Sequence, residues 1–346
     1  MSNFRAHFIA FAVTLLFIFG QLAASAFDDA YDFNNRLGLG INLGNALEAP
    51  KEGEWGLTIK PEYLNVIKKA GFTHVRIPIR WSAHANAGAP YTIDSEFLNR
   101  VDEVVREALS DNLLVIINMH NYAEFEQDPD KHRDRFLSMW DQIAQHFRNL
   151  SPNVAFEIYN EPCKGLTEEK WNMILARALQ IIRASNPARY VVVGPTSWNN
   201  VYMLGNLQLP AKDTHLIATI HYYEPFHFTH QGASWVGPES VNWLGTKWLG
   251  DWKERARIAT DFDIAKEWGD KNVRPIYLGE FGAFSKADMD SRVRWTRAIC
   301  ETAAARRLSV AYWEFGSGFG VFDVEHNSWH QPLLSALIDG WKSARH

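Results

Sequence analysis

Two glutamates in this sequence each close an apolar run. Glu161 ends the stretch FEIYNE at residues 156–161, and Glu280 ends PIYLGE at residues 275–280. One such glutamate is most often a surface or ion-paired residue, because Glu is almost never fully buried without a partner. Two carboxyl groups that share a pocket, however, can divide the work of acetal hydrolysis, with one protonated as the acid and the other ionised.

The separation of the two carboxyl groups decides the stereochemical outcome of such a reaction. Groups about 5–5.5 Å apart suit a double displacement that retains the anomeric configuration, whereas about 6.5–9.5 Å leaves room for a water molecule and gives inversion. The sequence does not fix this distance, so retention and inversion both stay open at this point.

The elements that must position these glutamates alternate along the chain. Short apolar and β-branched runs predict strands at residues 37–43, 75–81, 113–119, 154–159, 190–193, 216–223, 275–278 and 310–313. Helical periodicity predicts helices at residues 61–70, 97–110, 133–147, 167–185, 260–268, 288–305 and 332–341, with a short candidate at 198–207. This alternation predicts one α/β domain, a (β/α)₈ TIM barrel.

In such a barrel the carboxyl ends of the strands form the functional face. Strands four and seven stand across the barrel from each other, so Glu161 and Glu280 are expected to point into one space. Arg76 lies within another apolar strand, where it is either a structural ion-pair partner or a cation that keeps a nearby carboxylate ionised. Two long loops, at residues 46–60 and 224–251, are expected to carry binding surfaces.

Composition excludes several classes of protein. The formal net charge is −5 and the pI about 6.2, with basic and acidic residues interspersed, so neither a nucleic acid nor an anionic membrane is an expected partner. The two cysteines, Cys163 and Cys300, imply no disulfide framework or thiolate metal site; they are packed thiols or form one bridge. The 14 tryptophans exceed what a core requires and suggest ring platforms for a ligand.

The first residues have the layout of a secretory signal peptide. Arg5 precedes an apolar run at residues 8–19, and Ala24-Ser25-Ala26 follows it. The run is shorter than the about 20 residues that a spanning helix needs. We therefore expect cleavage after Ala26 and a secreted, extracellular or periplasmic, monomeric domain at residues 27–346.

Six motifs in series resemble glycoside hydrolase family 5 of clan A, the secreted cellulases and mannanases. They are GINLGNALEAP, HVRIPIRW, FEIYNEP, TIHYYEPFHFTHQGASW, PIYLGEFGAF and AYWEFGSGFGVFD. The six motifs occur in the same order as in the family and are spread over essentially all of the expected mature chain. It is strongest to the bacterial endoglucanases in which cellulase and mannanase activity coexist.

The resemblance implies a role for particular residues. Glu161 would be the acid/base and Glu280 the nucleophile. Arg76 and Tyr223 would hydrogen-bond the nucleophile, and Asn160 would bind the 2-hydroxyl of the sugar. His120 and His221 would line the cleavage subsite, with Trp313 as the platform under the sugar ring. The resemblance also implies glycone-side or loop contacts for Asn45, Glu48, His230 and Trp235. Asn121 departs from the family, which commonly has a second histidine after His120, and this leaves the substrate preference open.

The resulting prediction is a retaining endo-β-1,4-glucanase that acts on a β-linked polysaccharide without a metal or other cofactor. An endo-β-1,4-mannanase or mixed-specificity enzyme is the second hypothesis. A metal-dependent hydrolase could use His120 and His221 as ligands, but no His-x-His or HExxH spacing occurs at a strand end. A non-catalytic sugar-binding barrel would keep the tryptophans but need neither glutamate.

Overall fold

The apolar runs of the sequence form a closed barrel of parallel strands in the computed structural model, which describes residues 29–344. Neighbours in sequence are neighbours in the barrel, and the first strand pairs with the last through Leu39 and Val310. All eight predicted strands are confirmed. They are β1 (Leu39–Asn42), β2 (His74–Ile77), β3 (Leu114–Asn118), β4 (Val154–Glu157), β5 (Val191–Val193), β6 (Leu216–His221), β7 (Ile276–Phe281) and β8 (Ser309–Tyr312).

Helices surround the barrel and bury the outer faces of the strands, which is why the strand sequences are almost continuously apolar. The longer helices are α1 (Ala30–Leu37), α2 (Pro61–Ala70), α3 (Ser95–Ser110), α4 (Pro129–His146), α5 (Glu168–Ser185), α6 (Trp252–Asn272), α7 (Met289–Ala305) and α8 (Gln331–Ser343). Shorter helical segments span Ala123–Gln127 and Phe226–Thr229. A small hairpin of β9 (Phe322–Asp323) and β10 (Ser328–Trp329) follows β8.

Seven predicted helices are confirmed, although two of them begin a full turn or more before the predicted residue. The predicted start of α4 at residue 133 is wrong because Asp128 caps the helix, accepting a hydrogen bond from the Lys131 backbone N–H. The predicted start of α6 at residue 260 is also wrong. Asp251 and Glu254 form a reciprocal capping box there and add two turns.

The helix predicted at residues 198–207 is not formed. Ser197, Trp198 and Asn199 instead have φ of 58°, 60° and 54°, a left-handed turn that ordinary residues rarely adopt. A 3₁₀ segment at Val201–Asn206 follows it. None of these three residues is a glycine, so nothing in their types marks the turn, and periodicity alone predicted a helix.

No prediction covered α1, which closes the amino-terminal end of the barrel. Phe33 stacks on Tyr190 with ring centroids 4.0 Å apart, and Asn34 Nδ2 donates to the backbone oxygen of Ile276 at 3.1 Å. The carboxyl ends of the strands lie at the opposite end, where the polar residues gather.

Two further expectations concern the cysteines and the leader. Cys163 and Cys300 are buried and unbridged, so they are packed thiols. The expected signal peptide at residues 1–26 lies outside the described residues. Within residues 29–344, none of the helices combines the length and apolarity needed to cross a bilayer.

Candidate active site

Glu161 and Glu280 face each other at the carboxyl end of the barrel. Glu161 lies just beyond β4, Glu280 lies in β7, and His221 ends β6. One carboxylate oxygen of each glutamate and one imidazole nitrogen of His221 all lie within 4.8 Å of one another. This gap is close to the about 5–5.5 Å of retaining glycosidases and shorter than the about 6.5–9.5 Å of inverting ones.

Arg76 on β2 holds the base of this cluster together. Its guanidinium is fully buried, and each of its five N–H groups has an acceptor. The acceptors are Glu157 Oε2 at 2.6 Å, Glu157 Oε1 at 2.7 Å, Asn160 Oδ1 at 2.6 Å, Asn42 Oδ1 at 2.8 Å and Glu280 Oε1 at 2.8 Å. The side chain therefore joins β1, the end of β4 and β7.

Glu280 accepts a hydrogen bond at each of its carboxylate oxygens. Arg76 Nη1 donates to Oε1 and the hydroxyl of Tyr223 donates to Oε2, both at 2.8 Å. The side chain is 4% exposed. Two donors fix the orientation of this carboxylate, which a nucleophile needs.

The pKa of Glu161 is raised to about 8, chiefly because burial disfavours its charged form. The positive charge of Arg76 opposes this rise, whereas Glu126 and Glu157 add to it. Its side chain contacts His221, whose Nδ1 lies 2.6 Å from Glu161 Oε1. Glu161 is therefore protonated near neutral pH, as an acid must be.

Burial also raises the pKa of Glu280, while His221, Arg76 and the hydrogen bond from Tyr223 oppose that rise. Arg76 lowers the pKa of Glu280, as one of the two roles considered for it requires, but loss of solvent outweighs the cation and the net shift is upward. Arg76 nevertheless contacts Glu280 and not Glu161. We therefore expect Glu280 to ionise before Glu161.

Asn160 has its amide orientation set by Arg76. Because the guanidinium can only donate, Asn160 Oδ1 must face it, and the Nδ2 group is directed away. Asn160 is 6% exposed and stands next to Glu161 in the chain. Its amide N–H groups suit a sugar hydroxyl above the two carboxylates.

Trp313 and His120 form a flat wall beside the carboxylates. Their rings are stacked with centroids 5.5 Å apart and planes 8° apart. Asn118 Oδ1 accepts from the Ile79 backbone N–H, so its Nδ2 donates to His120 Nδ1 at 3.1 Å and leaves the proton on Nε2. Asn121 lies nearby, where its Nδ2 donates to the backbone oxygen of Glu48 at 3.3 Å.

The loop residues are placed differently from one another. Trp235 is 60% exposed, and its ring packs edge-on against Phe284 with centroids 4.8 Å apart. His230 is buried against the Tyr223 ring at 4.9 Å. Asn45 is half-buried with φ 63°.

Glu48 is only 1% exposed, and its carboxylate accepts from the backbone N–H groups of Asn45 and Ala46. Of the two roles that the family resemblance implies for Glu48, a glycone-side contact or a loop contact, this placement favours the loop contact. Burial raises the pKa of Glu48 to about 7.

Several buried polar residues of the site were not predicted from the sequence, namely Asn42, Glu157, Asn199 and Glu314. For Asn42 and Glu157 a signal existed, because both are polar side chains inside otherwise apolar strands. Glu314 is fully buried and accepts from the backbone N–H groups of Gly316, Ser317 and Phe319. Asn199 depends on the left-handed turn, which the sequence did not predict.

Among residues 29–344, Glu161, His221 and Glu280 bring donor atoms close enough together to hold a metal ion. Glu280 Oε1 lies 2.8 Å from the Arg76 guanidinium, and His221 Nδ1 is engaged by Glu161. The adjacent positive charge disfavours a cation at this position. The contacts fit a pair of reacting carboxyl groups better than a metal centre.

Residues 41–318 match the family described as Cellulase (glycosyl hydrolase family 5). The chain belongs to this family. Endoglucanase H of Acetivibrio thermocellus is 37% identical to this family 5 chain over 320 residues, which cover 90% of it. Cel5A of Thermotoga maritima, solved with mannotriose, is 48% identical with a TM-score of 0.87, and the match covers 89% of this chain and 100% of that one. Cel5A solved with cellobiose is 48% identical with a TM-score of 0.88, over 89% and 100% of the two chains.

The family 5 relatives differ in length. The chain spans 34% of Endoglucanase H and 40% of the Cellulase/esterase CelE from the same organism, which is 27% identical over 90% of this chain. Those two relatives therefore contain further segments that this chain does not match.

Proposed function

We propose that this family 5 chain is a retaining endo-β-1,4-glucanase in which Glu280 is the nucleophile and Glu161 the acid/base. The observation that carries the proposal is the short separation, with one oxygen of each carboxylate within 4.8 Å of the other. This spacing is shorter than the about 6.5–9.5 Å that accommodates the attacking water of an inverting enzyme, so it favours double displacement over inversion.

The proposed reaction has two halves. In the first, Glu280 attacks the anomeric carbon while the proton on Glu161 moves to the departing glycosidic oxygen, and a covalent glycosyl-enzyme forms. In the second, Glu161 takes a proton from water, which attacks the anomeric carbon and releases Glu280. A raised pKa for Glu161 and two hydrogen-bond donors on Glu280 support this division of roles.

The surrounding residues support a pyranose at the cleavage point. Asn160 Nδ2 is directed away from Arg76 and suits the 2-hydroxyl, a contact that strengthens in the transition state of this reaction. The Trp313 ring, stacked on His120, offers a flat face for the apolar side of the sugar. Asn45, His230 and Trp235 are proposed to contact sugars further from the cleaved bond.

A mannan-degrading or mixed activity is the second candidate. Cel5A, at 48% identity, was solved with both cellobiose and mannotriose, so closely similar sites accept either sugar. Glucose and mannose units differ only in the orientation of the 2-hydroxyl. Asn121, which replaces a titratable ring with an amide, lies in the part of the site where that difference would be read.

The test combines a substrate panel with product stereochemistry. Purified enzyme is given carboxymethyl-cellulose, barley β-glucan, glucomannan, galactomannan and xylan, and the first products are sized and followed by proton NMR. We expect mixed-length products from the β-1,4-glucans with the β-anomer formed first. Release of the α-anomer would overturn the retaining mechanism, and cleavage of galactomannan alone would replace the glucanase by the mannanase.

We also propose that the enzyme is exported after cleavage behind Ala26 and acts as a monomer. The layout of residues 1–26 supports this export. Amino-terminal sequencing of protein from the culture medium or periplasm should begin at Phe27, and size-exclusion chromatography with light scattering should give one chain per particle.

A further inference from the structure

Asn199 is a buried amide that sits behind the proposed acid/base. It ends the left-handed turn after β5 and has no solvent exposure. A Cβ atom at Gly194 would lie 1.9 Å from Asn199 Oδ1, so the amide occupies space that only a glycine leaves. The turn and this glycine together aim Asn199 inwards while Trp198 stays 55% exposed.

The orientation of the Asn199 amide is fixed by its first partner. Its Nδ2 group donates to the backbone oxygen of Asn160. That carbonyl can only accept, so the amide nitrogen and not the amide oxygen must face it.

The second partner of the same nitrogen is an imidazole. Asn199 Nδ2 lies 3.2 Å from His221 Nε2. Because an amide NH₂ group only donates, Nε2 must be the acceptor and carry no hydrogen. Burial lowers the pKa of His221 to about 4, so the ring is neutral at neutral pH and has a single N–H. That N–H is therefore on Nδ1, which lies 2.6 Å from Glu161 Oε1.

We infer that Asn199 is a positioning residue for the proposed hydrolysis: it holds His221 in the Nδ1–H tautomer, so that this N–H donates to the acid/base Glu161. The inference rests on the proposed role of Glu161. It assigns to Asn199 no contact with the substrate.

This arrangement matters most when Glu161 is ionised. A donor on Oε1 stabilises the carboxylate that forms after the proton has left, and it keeps that carboxylate ready to act as a base in the second half-reaction. In the opposite tautomer, the Nδ1 lone pair would face Glu161 and would favour the protonated acid. Asn199 therefore tunes how easily Glu161 gives up its proton.

Other titratable groups lie around Glu161 and must stay constant in a test. They are Arg76 on β2, Glu126 after β3, Glu157 on β4, Cys163 after β4, His221 on β6, Tyr223 after β6 and Glu280 on β7. Asn199 contacts none of these directly except His221. A change at Asn199 therefore reaches Glu161 through the imidazole.

Two substitutions separate tautomer control from packing. In Asn199→Asp, a carboxylate oxygen faces His221 Nε2 and accepts its hydrogen, which reverses the tautomer. In Asn199→Leu, the volume is similar but both donors are lost. The matched control is Asn200→Asp, because Asn200 is the next residue in the chain, is exposed, and has a side-chain oxygen that accepts from the Tyr202 backbone N–H.

The direct readout is nitrogen NMR of ¹⁵N-histidine-labelled protein, with His221 assigned from a His221→Gln variant. We expect the Nδ1–H tautomer in the wild type and in Asn200→Asp, and the Nε2–H tautomer in Asn199→Asp. An Nε2–H tautomer in the wild type, or no change in Asn199→Asp, would overturn the inference. This measurement needs no substrate, so it tests the tautomer of His221 even if the proposed glucanase activity is wrong.

The kinetic readout is the pH profile. In Asn199→Asp the alkaline limb of kcat/KM should move up by about one pH unit or more, as expected when a donor to a carboxylate becomes an acceptor. With an activated aryl glycoside, kcat should fall about tenfold or more, and azide, which needs no base, should restore it. In Asn199→Leu, the alkaline limb of kcat/KM should move up and kcat on the aryl glycoside should fall, each by less than in Asn199→Asp. An unchanged limb in a variant that unfolds at the wild-type temperature would reduce Asn199 to a packing residue.

Discussion

Arg76 and Glu157 form a two-point ion pair inside the barrel, with Nε 2.6 Å from Oε2 and Nη2 2.7 Å from Oε1. Neither side chain has solvent exposure. The same guanidinium donates to Glu280 at 2.8 Å, so one positive charge lies between two buried carboxylates. Glu157 therefore neutralises part of the positive charge of Arg76, which would otherwise act on the Glu280 carboxylate alone.

Replacing Glu157 by Gln should destabilise the fold and shift the pH profile. Removing one partner of a buried ion pair costs about 3–5 kcal/mol of unfolding free energy, because the other charge stays buried. The uncompensated Arg76 should also favour ionised Glu280 more strongly. We expect the acidic limb of kcat/KM to move to lower pH, measured on protein shown to be folded.

The control for this variant is Glu103→Gln, which breaks an exposed pair with Arg100 in which the Glu103 side chain is 71% exposed. Such surface pairs contribute about 0–1 kcal/mol, and Glu103 is remote from the site. Urea unfolding should show a small change for Glu103→Gln and a large one for Glu157→Gln. Equal changes would mean that Glu157 does not compensate a buried charge.

Replacing Glu280 by Gln should remove hydrolysis without unfolding the protein. The amide keeps the size of the side chain and can still accept from Arg76 or Tyr223, but it cannot form the glycosyl ester. We expect kcat on β-glucan to fall by more than about 10³-fold, with a circular dichroism spectrum like that of the wild type. Near-normal turnover would take Glu280 out of the nucleophile role.

Replacing Glu161 by Ala should affect substrates according to their leaving groups. A general acid contributes about 10²–10⁴-fold to rate, and this contribution is needed least when the leaving group is already a weak base. We expect a large loss of kcat/KM on β-glucan and a small one on a dinitrophenyl cellobioside. The same fractional loss on both substrates would argue against the acid role.

Strand patterns predicted the barrel because every strand is buried on both faces and so reads as an apolar run. The same pattern placed Glu161 and Glu280 at one end of it, since the carboxyl ends of parallel strands share an edge. The pattern predicted where Glu161 and Glu280 lie. Their catalytic roles are tested by the Glu280→Gln and Glu161→Ala variants.

The parts that sequence patterns did not predict depend on backbone conformation and on pairing across the barrel. Asn199 reaches His221 only because three consecutive non-glycine residues adopt positive φ, and local propensity argues against that turn. The two-point pair of Glu157 with Arg76 joins residues 81 apart in sequence, so no local pattern marks it. Hydrophobic periodicity predicts neither a turn with positive φ nor an ion pair between distant strands.

Stability should depend on pH in a direction set by the partly buried carboxyl group of Glu161. The pKa of Glu161 is raised from 4.5 to about 8 in the folded protein, so between these values the folded state holds a proton that the unfolded state has lost. The free energy of unfolding should therefore fall as pH rises through this window and level off above it. Urea unfolding at about pH 5 and about pH 8 should show lower stability at the higher pH.

The variant Glu161→Gln tests the source of this dependence, because its amide does not titrate. Its free energy of unfolding should fall less than that of the wild type between the same two pH values. Part of the fall should persist, since burial also raises the pKa of Glu48 to about 7 and of Glu314 to about 8. An identical pH dependence in the variant and the wild type would mean that Glu161 is already ionised in the folded protein near neutral pH, and it would then lack the proton that the proposed first half-reaction requires.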